Sequence, residues 1–455
     1  MYSTTFVCIT LGMRTLLRSS INHFKETFRQ LVPCEWVTEL LANLPSRVGR
    51  KPTFTVSDLV MSLVFHVLQF KGSLSDHVND LTGQTMSDSA ISQRRTRLSW
   101  EVFRAIMARV LQPKADPDKH PDCFYKGYRL IGVDGTQFSV SNTPQIDSLL
   151  TKSMSRRLKA AFAKVGAVVL VELGMRNPIA AAIARNQESE MTLAEEVLVS
   201  LPDQCLLIAD RYYGHGSFID TLLGLPAPGS KKFLLRVKKS LKVKILEHLP
   251  DGSQRVEVHY ADRVFKVRQI IGSVGRKGGK LTEVRFWTNL LDWVAYPALE
   301  LLKLYSRRWE QESFYRELKV DMRSATLLRS HTPETAAQEI AALVLGYSIL
   351  AQERIDAAAQ GQIPVLRVSF IKTLTVMSSM WQFLLIAEDI LSTQQVDDIV
   401  RAAIEKIICR AVSPRRKRSC LRAIRQPVSS WPRLIAPVYD YGDFDFTVLS
   451  PQFSA

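Results

Sequence analysis

Between residues 305 and 319 the chain reads Tyr-Ser-Arg-Arg-Trp-Glu-Gln-Glu-Ser-Phe-Tyr-Arg-Glu-Leu-Lys. The stretch holds no Pro or Gly and is rich in Arg, Glu, Lys and Leu, so it favours a helix. At helical pitch Tyr305, Arg308, Glu312, Tyr315 and Lys319 advance by three or four residues and share one stripe. One acid among two cations and two phenols is an odd surface to turn toward a core. It suits a carboxylate that holds a metal ion while its neighbours grip phosphates. In isolation, an Arg308–Glu312 pair on a solvated helix face explains the stripe just as well. Two earlier acids, Asp134 and Asp210, shift the balance, because each ends an apolar, strand-like run.

Carboxylates from three separate elements form a donor set that hard divalent cations accept. Two such ions about 4 Å apart serve both the attacking and the leaving oxygen of an in-line phosphodiester displacement. An Asp at the carboxyl end of a strand projects into the crevice where open α/β sheets bind ligands. A Glu on a later helix reaches the third side. Taken singly, each acid has a structural explanation. Asp134 shapes an Asp-Gly turn, Asp210 satisfies backbone donors in its loop, and Glu312 joins a surface ion pair worth little. Their order along the chain favours a shared site.

The elements that must position these acids follow from periodicity. Residues 1–112 read as a helical N-terminal DNA-binding domain. In it, 55–70 is apolar on several sides, 73–81 and 87–110 are further helices, and Ser87 or Asp88 is the N-cap. The run Ser92-Gln-Arg-Arg-Thr-Arg97 places Arg94 and Arg95 on a short helix after a turn. That predicts a DNA-contacting helix, with a solvated basic face as the competing reading. Residues 113–127 hold three prolines and read as a linker. From Tyr128 three strands are expected, then strands alternating with helices, with acids at two strand ends. This is the order of an α/β ribonuclease H-like catalytic core, set at 128–350 with a β-rich insertion at about 238–290. Residues 351–455 form a helical C-terminal region with a basic run, Arg415 to Arg418, and a mobile or partner-docking tail at 439–446.

Charge narrows the function. The 455 residues carry 60 Lys plus Arg against 44 Asp plus Glu, a net charge of +16, which points to a polyanion, nucleic acid before anionic membrane. Six scattered cysteines form no C-x2-C and no Cys/His cluster, which argues against structural zinc and disulfides and suits a reducing cytoplasm. No apolar stretch is expected to span a membrane. Residues 4–12 make a poor secretory signal, and Met13 is an alternative start.

Tyr305, Arg308, Glu312 and Lys319 fit the pattern Y-x2-R-x3-E-x6-K, which resembles the signature of the DDE transposases of bacterial insertion sequences, the insertion-sequence-four family. Trp309 and Phe314 are similar too. Leu130-Ile-Gly-Val-Asp134-Gly-Thr136 resembles the family's first-Asp motif, Lys164 to Leu173 its following strand, and Leu207-Ile-Ala-Asp210-Arg211 its second-Asp motif. Thr288-Asn289-Leu290 also looks like the family, so the resemblance spans about 128–350. There are two departures. Tyr212 stands where a small residue often follows the Asp-Arg pair. Val284, with Phe286 and Trp287 close by, stands where some relatives hold a flipped base with an aromatic.

The resemblance implies cut-and-paste transposition: metal-dependent cleavage at element ends, then attack of the freed 3′-OH on target DNA. It implies Asp134, Asp210 and Glu312 as catalytic residues holding two Mg2+ ions, for which Mn2+ can substitute. Tyr305, Arg308 and Lys319 would hold phosphates, with Arg211, Arg94, Arg95, Arg276 and Lys277 as further DNA contacts. The clusters at Arg156, Arg157 and Lys159, at Lys231 and Lys232, and at Arg276 to Lys280 would add sequence-independent phosphate affinity. The implied partners are double-stranded DNA and a second copy in the DNA complex, with no membrane. Two alternatives stay open: a metal-dependent structure-specific nuclease that never joins strands, and a catalytically silent transposase-derived DNA-binding protein.

Overall fold

The computed structural model describes residues 20–42, 54–150, 152, 160–276, 281–323, 326–413, 418–420, 439–441 and 444–448. Met13, the Arg156–Lys159 cluster, Lys277 to Lys280, and Arg415, Arg416 and Lys417 lie outside the described residues.

The N-terminal part is helical: α1 (Ile21–Leu31), α2 (Cys34–Ala42), α3 (Val56–Val67), α4 (Leu74–Thr82), α5 (Asp88–Arg97) and α6 (Trp100–Val110). Thr55 and Ser73 start α3 and α4 with capping boxes that satisfy otherwise unpaired N–H groups. The span 87–110, expected as one helix, breaks at the extended Leu98 and restarts where Ser99 caps α6. The predicted linker runs back along the sheet. The amides of Lys114 and Ala115 donate to the buried Glu172, and β1 (Phe124–Tyr125) pairs with the strand that follows.

A mixed sheet with helices on both faces forms the centre. β2 (Tyr128–Val140), followed by α7 (Pro144–Leu149), β3 (Lys164–Glu172) and β4 (Asn177–Ile183) are antiparallel neighbours. After α8 (Glu190–Leu198) comes β5 (Cys205–Ala209), and after α9 (Gly216–Gly224) comes β6 (Lys231–Val237); β5 lies parallel to β2, and β6 parallel to β5. Every residue of β5 is buried, as an apolar parallel strand covered on both faces must be. The insertion strands β7 (Lys244–His248), β8 (Gln254–Tyr260), β9 (Arg263–Arg276) and β10 (Thr282–Thr288) extend this sheet in the order β4-β3-β2-β5-β6-β10-β9-β8-β7, because β10 returns antiparallel to β6.

The helix expected over 305–319 changes pitch along its length. α10 (Ala298–Leu304) passes into a 3-10 turn, Tyr305–Arg308; α11 (Trp309–Arg316) passes into a π turn, Glu317–Asp321. The short β11 (Leu327–Leu328) runs parallel to the end of β2. The long α12 (Pro333–Gln360) then packs against α3 and α6 on one side and β4 on the other, so the N-terminal helices and the sheet share one hydrophobic core. α8 and α9 cover the opposite face.

α13 (Phe370–Ala387) and α14 (Thr393–Ile408) complete the helices. Contrary to the expectation that no stretch reaches membrane-span length, α13 is long and apolar enough by length and composition. Its Phe370, Leu374, Met377 and Trp381 are nevertheless buried in the helical core. Near the C-terminus β12 (Arg418–Cys420) pairs with β13 (Tyr439–Tyr441), and β14 (Phe444–Val448) adds to β9. The expected mobile tail is therefore in part a sheet strand. Alternating aromatics and small polar groups suit such an edge position.

Candidate active site

Asp134 does not end its strand in a turn. β2 continues to Val140, paired with β3 as far as Ser139. What ends at Asp134 is the other neighbour: the parallel pairing with β5 stops at Val133 opposite Ala209. Asp134 and Asp210 therefore come next in register on adjacent strands, about 5 Å apart along the sheet, where the crevice opens. Asp134 Oδ1 accepts from the Gly135 amide at 2.9 Å, and Asp210 Oδ1 accepts from the Tyr212 amide at 2.7 Å.

Glu312 arrives on α11, which is pinned across β2 and β3 by the residues flanking it. Gln311 is fully buried and donates to the Val169 carbonyl at 3.0 Å. Tyr315 donates from its hydroxyl to the Asp134 carbonyl and accepts from the Val169 amide. Tyr315, expected on the phosphate-gripping stripe, is instead buried as an anchor. Such a close approach requires glycine at 132, where a Cβ would lie 2.7 Å from Gln311 Oε1.

Arg308 links the helix to the sheet. Its Nη2 donates to Glu312 Oε1 at 2.6 Å, and its Nη1 lies 3.9 Å from Asp134 Oδ2. Tyr305 packs its half-buried ring on Phe286, with centroids 4.5 Å apart. Lys319, in the π turn, donates to Thr136 Oγ1 at 3.2 Å and the Gln137 carbonyl at 2.7 Å. Arg308 and Lys319 thus reach the strand of the first acid, and Arg211 is exposed beside the second.

A fourth carboxylate, Glu190, sits in the same crevice. Tyr213 donates to its Oε1 at 2.8 Å, and a Cβ at Gly135 would lie 2.2 Å from its Cδ. Ser189-Glu190 opens a helix, where an acid is ordinary because the N-terminal N–H groups favour it. That placement hid Glu190 in the sequence. Burial, then the negative charge of Asp210, pushes the Asp134 carboxyl up to about 7, with Arg308 opposing. Burial also raises Glu190, again with Asp210 adding.

Half-buried carboxylates, an all-oxygen donor set, fit a hard divalent cation by their chemistry. The expected preformed cage of three acids is absent among the described residues, where no three acidic, His or Cys side chains stand close enough to share one ion. Asp134 and Asp210 are adjacent in register, whereas Glu312 is held on Arg308.

Other expected contacts lie elsewhere. Arg94 Nη1 donates to the Phe54 carbonyl at 2.8 Å, and Arg95 Nη2 donates to Ser330 Oγ and the Thr335 carbonyl at 3.1 and 2.9 Å. Both bind the protein itself, so α5 braces the fold through them. Arg276 ends β9, and Lys277 lies outside the described residues. Val284, Phe286 and Trp287 are all buried, with the Trp287 indole donating to Gln269, so none is presented to a base.

The family profile described as "Transposase DDE domain" matches residues 125–349. Transposase InsG for insertion sequence element IS4 from Escherichia coli (strain K12) is 27% identical over 340 residues, covering 71% of this chain and 75% of InsG. The putative transposase InsZ of the same organism is 23% identical over 232 residues, covering 49% of this chain and 75% of InsZ. A cryo-EM structure of a piggyBac transposase synaptic complex with hairpin DNA aligns with 86% of this chain and 85% of that chain, at a TM-score of 0.41 and 10% identity. The matched segment runs from β1 into α12 and contains both strand acids and the Tyr-Arg-Glu-Lys helix; the chain belongs to the DDE transposases of insertion sequences, enzymes that cleave DNA and transfer its strands.

Proposed function

We propose that the chain frees the ends of its own element and joins their 3′-OH groups to target DNA by direct in-line displacement, with Asp134, Asp210 and Glu312 as the catalytic acids. The observation that carries this is the register of the first two acids on β2 and β5, faced by Glu312 through Arg308. The order of β4 to β6 around β2 supports a ribonuclease H-like core. The three acids would hold two Mg2+ ions, which supply charge neutralisation and an activated attacking oxygen when bound. Asp134 and Asp210 offer the oxygens not engaged by backbone amides. Arg308 neutralises acids in the free protein, and its planar fork suits a phosphate once Glu312 turns away. Lys319 holds position as a point charge beside Thr136. Arg211 extends the positive edge.

Direct displacement needs no covalent enzyme intermediate, because positioning and charge neutralisation carry the reaction. Handling two element ends together calls for two copies of the chain in the DNA complex. In an assay with paired element ends and a target duplex, Asp134→Asn and Asp210→Asn should each lower cleavage and joining by about a thousandfold or more. Joining undiminished in either variant would refute the assignment. Cleavage without any joined product in the unaltered protein would leave a nuclease instead.

A further inference from the structure

A cavity of about 370 Å3 opens where the end of α3, the start of α4, α5 and the chain just beyond the π turn meet α12. Its walls carry four cations, Lys71, Arg95, Arg323 and Arg329, against two acids, Asp88 and Glu339. Glu339 is already engaged: its carboxylate accepts from the amides of Arg329 and Ser330 and from Ser330 Oγ. Arg95 is fixed in the wall by its bonds to Ser330 and Thr335.

Arg323 is the informative residue. Its guanidinium stands 5.6 Å over the Phe138 ring, on which Lys319 Nζ stands at 5.4 Å, so the two cations share one aromatic ring. Arg323 Nη2 is buried and has no hydrogen-bond partner. Such a donor is costly to leave unsatisfied, and a charged acceptor would restore the bond at greater strength than a neutral one. His66 registers the same excess of positive charge: burial first, then His77, Arg329 and Arg95, holds its imidazole down at about 4. The Nδ1 atoms of His66 and His77 lie 2.9 Å apart. That contact suits neutral rings sharing one proton.

We infer that this cavity is a phosphate-binding site for the DNA backbone, next along from Lys319 and separate from the acids. The inference rests on the reading that Lys319 lies beside DNA. It also gives Arg95, on the helix expected to contact DNA, a function as cavity wall. Arginine forks suit the tetrahedral oxygens of a phosphate, and a seam between α5 and the Lys319 turn would hold the strand as it leaves the acids.

The test uses the full chain and a fluorescein-labelled DNA duplex, with binding measured by anisotropy across a salt series. Arg323→Gln and Arg329→Gln should each weaken binding severalfold and reduce the slope of log affinity against log salt by about 1. A residue that only supports the fold would leave that slope unchanged. The exposed Arg329 keeps the test decisive should Arg323→Gln fold poorly. Slopes unchanged in both variants but reduced in Lys319→Gln would overturn the cavity and leave the active-site reading intact; slopes unchanged in all three would sink both. Inorganic phosphate alone forms a second arm, read by the His66 imidazole resonances. If phosphate raises the His66 titration midpoint while the DNA slopes stay fixed, the site takes a free anion and DNA is excluded as its occupant.

Discussion

The two strand acids and the helical acid are held by opposite means. Asp134 and Asp210 take their places from backbone register, in the middle of a sheet whose β5 is buried throughout. Glu312 sits between a 3-10 turn and a π turn, with its carboxylate held by a side chain, Arg308. π turns inside helices are frequent at functional sites. The sheet therefore supplies a fixed pair of acids, and the helix supplies an adjustable third. On the proposed reading, the strand acids stand ready in register and the Glu312 side chain exchanges Arg308 for the metal.

The helical half can be broken from beneath. Glu317, in the π turn, is buried, accepts from Arg176 at 2.5 Å and from the Tyr347 hydroxyl at 2.6 Å, and has Arg354 at 3.9 Å. Removing one partner of a buried pair strands the other charge. Arg176→Ala should cost about 3–5 kcal/mol in denaturant unfolding. It should also weaken DNA binding at Lys319 more than it changes metal binding at the strand acids. Equal losses at both would mean that the two halves are not independent.

The strand half can be broken by a single methyl group. A Cβ at Gly135 would overlap the Glu190 carboxyl, so Gly135→Ala should destabilise by about 1–3 kcal/mol through overpacking. Adding Glu190→Ala should recover most of that loss in thermal unfolding. No recovery would show that Glu190 does not press on the strand.

A further effect concerns pH and sharpens the electrostatic side of the contrast. The Asp134 carboxyl is raised on folding from 3.8 to about 7, so its protonated form is the one that folding favours. Its contribution to stability is full below about pH 4 and is lost as pH rises through about 7, at most about 4 kcal/mol in metal-free protein. Asp134→Asn should flatten that decline and leave the metal-free protein more stable at pH 8. A wild-type stability that instead rises from pH 5 to 8 in parallel with the variant would contradict the crowding of Asp134 by burial and Asp210.

How much could be read beforehand divides along the same line. The strands carrying Asp134 and Asp210 were legible because short apolar runs, 130–133 and 205–209, declare buried strands, and the Tyr-Arg-Glu-Lys spacing declared the helix. The continuation of β2 past Asp-Gly was not legible, because its pairing with β3 overrides the local turn preference. Changes of pitch at Tyr305 and Glu317 follow from tertiary contacts such as Arg176–Glu317, which no local window contains. The bonds of Arg94 and Arg95 were not legible for a related reason: a basic run looks the same whether its guanidinia stand free or, as here, meet the carbonyls of Phe54 and Thr335. Glu190 was concealed by an innocent position at a helix start.

Anomalous diffraction from crystals of the full chain with DNA and Mn2+ tests the division most directly. Two peaks about 4 Å apart should lie between Asp134 and Asp210, with Glu312 released from Arg308 and turned onto one of them. Manganese bound away from the strand acids, or bound there with Glu312 still on Arg308, would contradict the account.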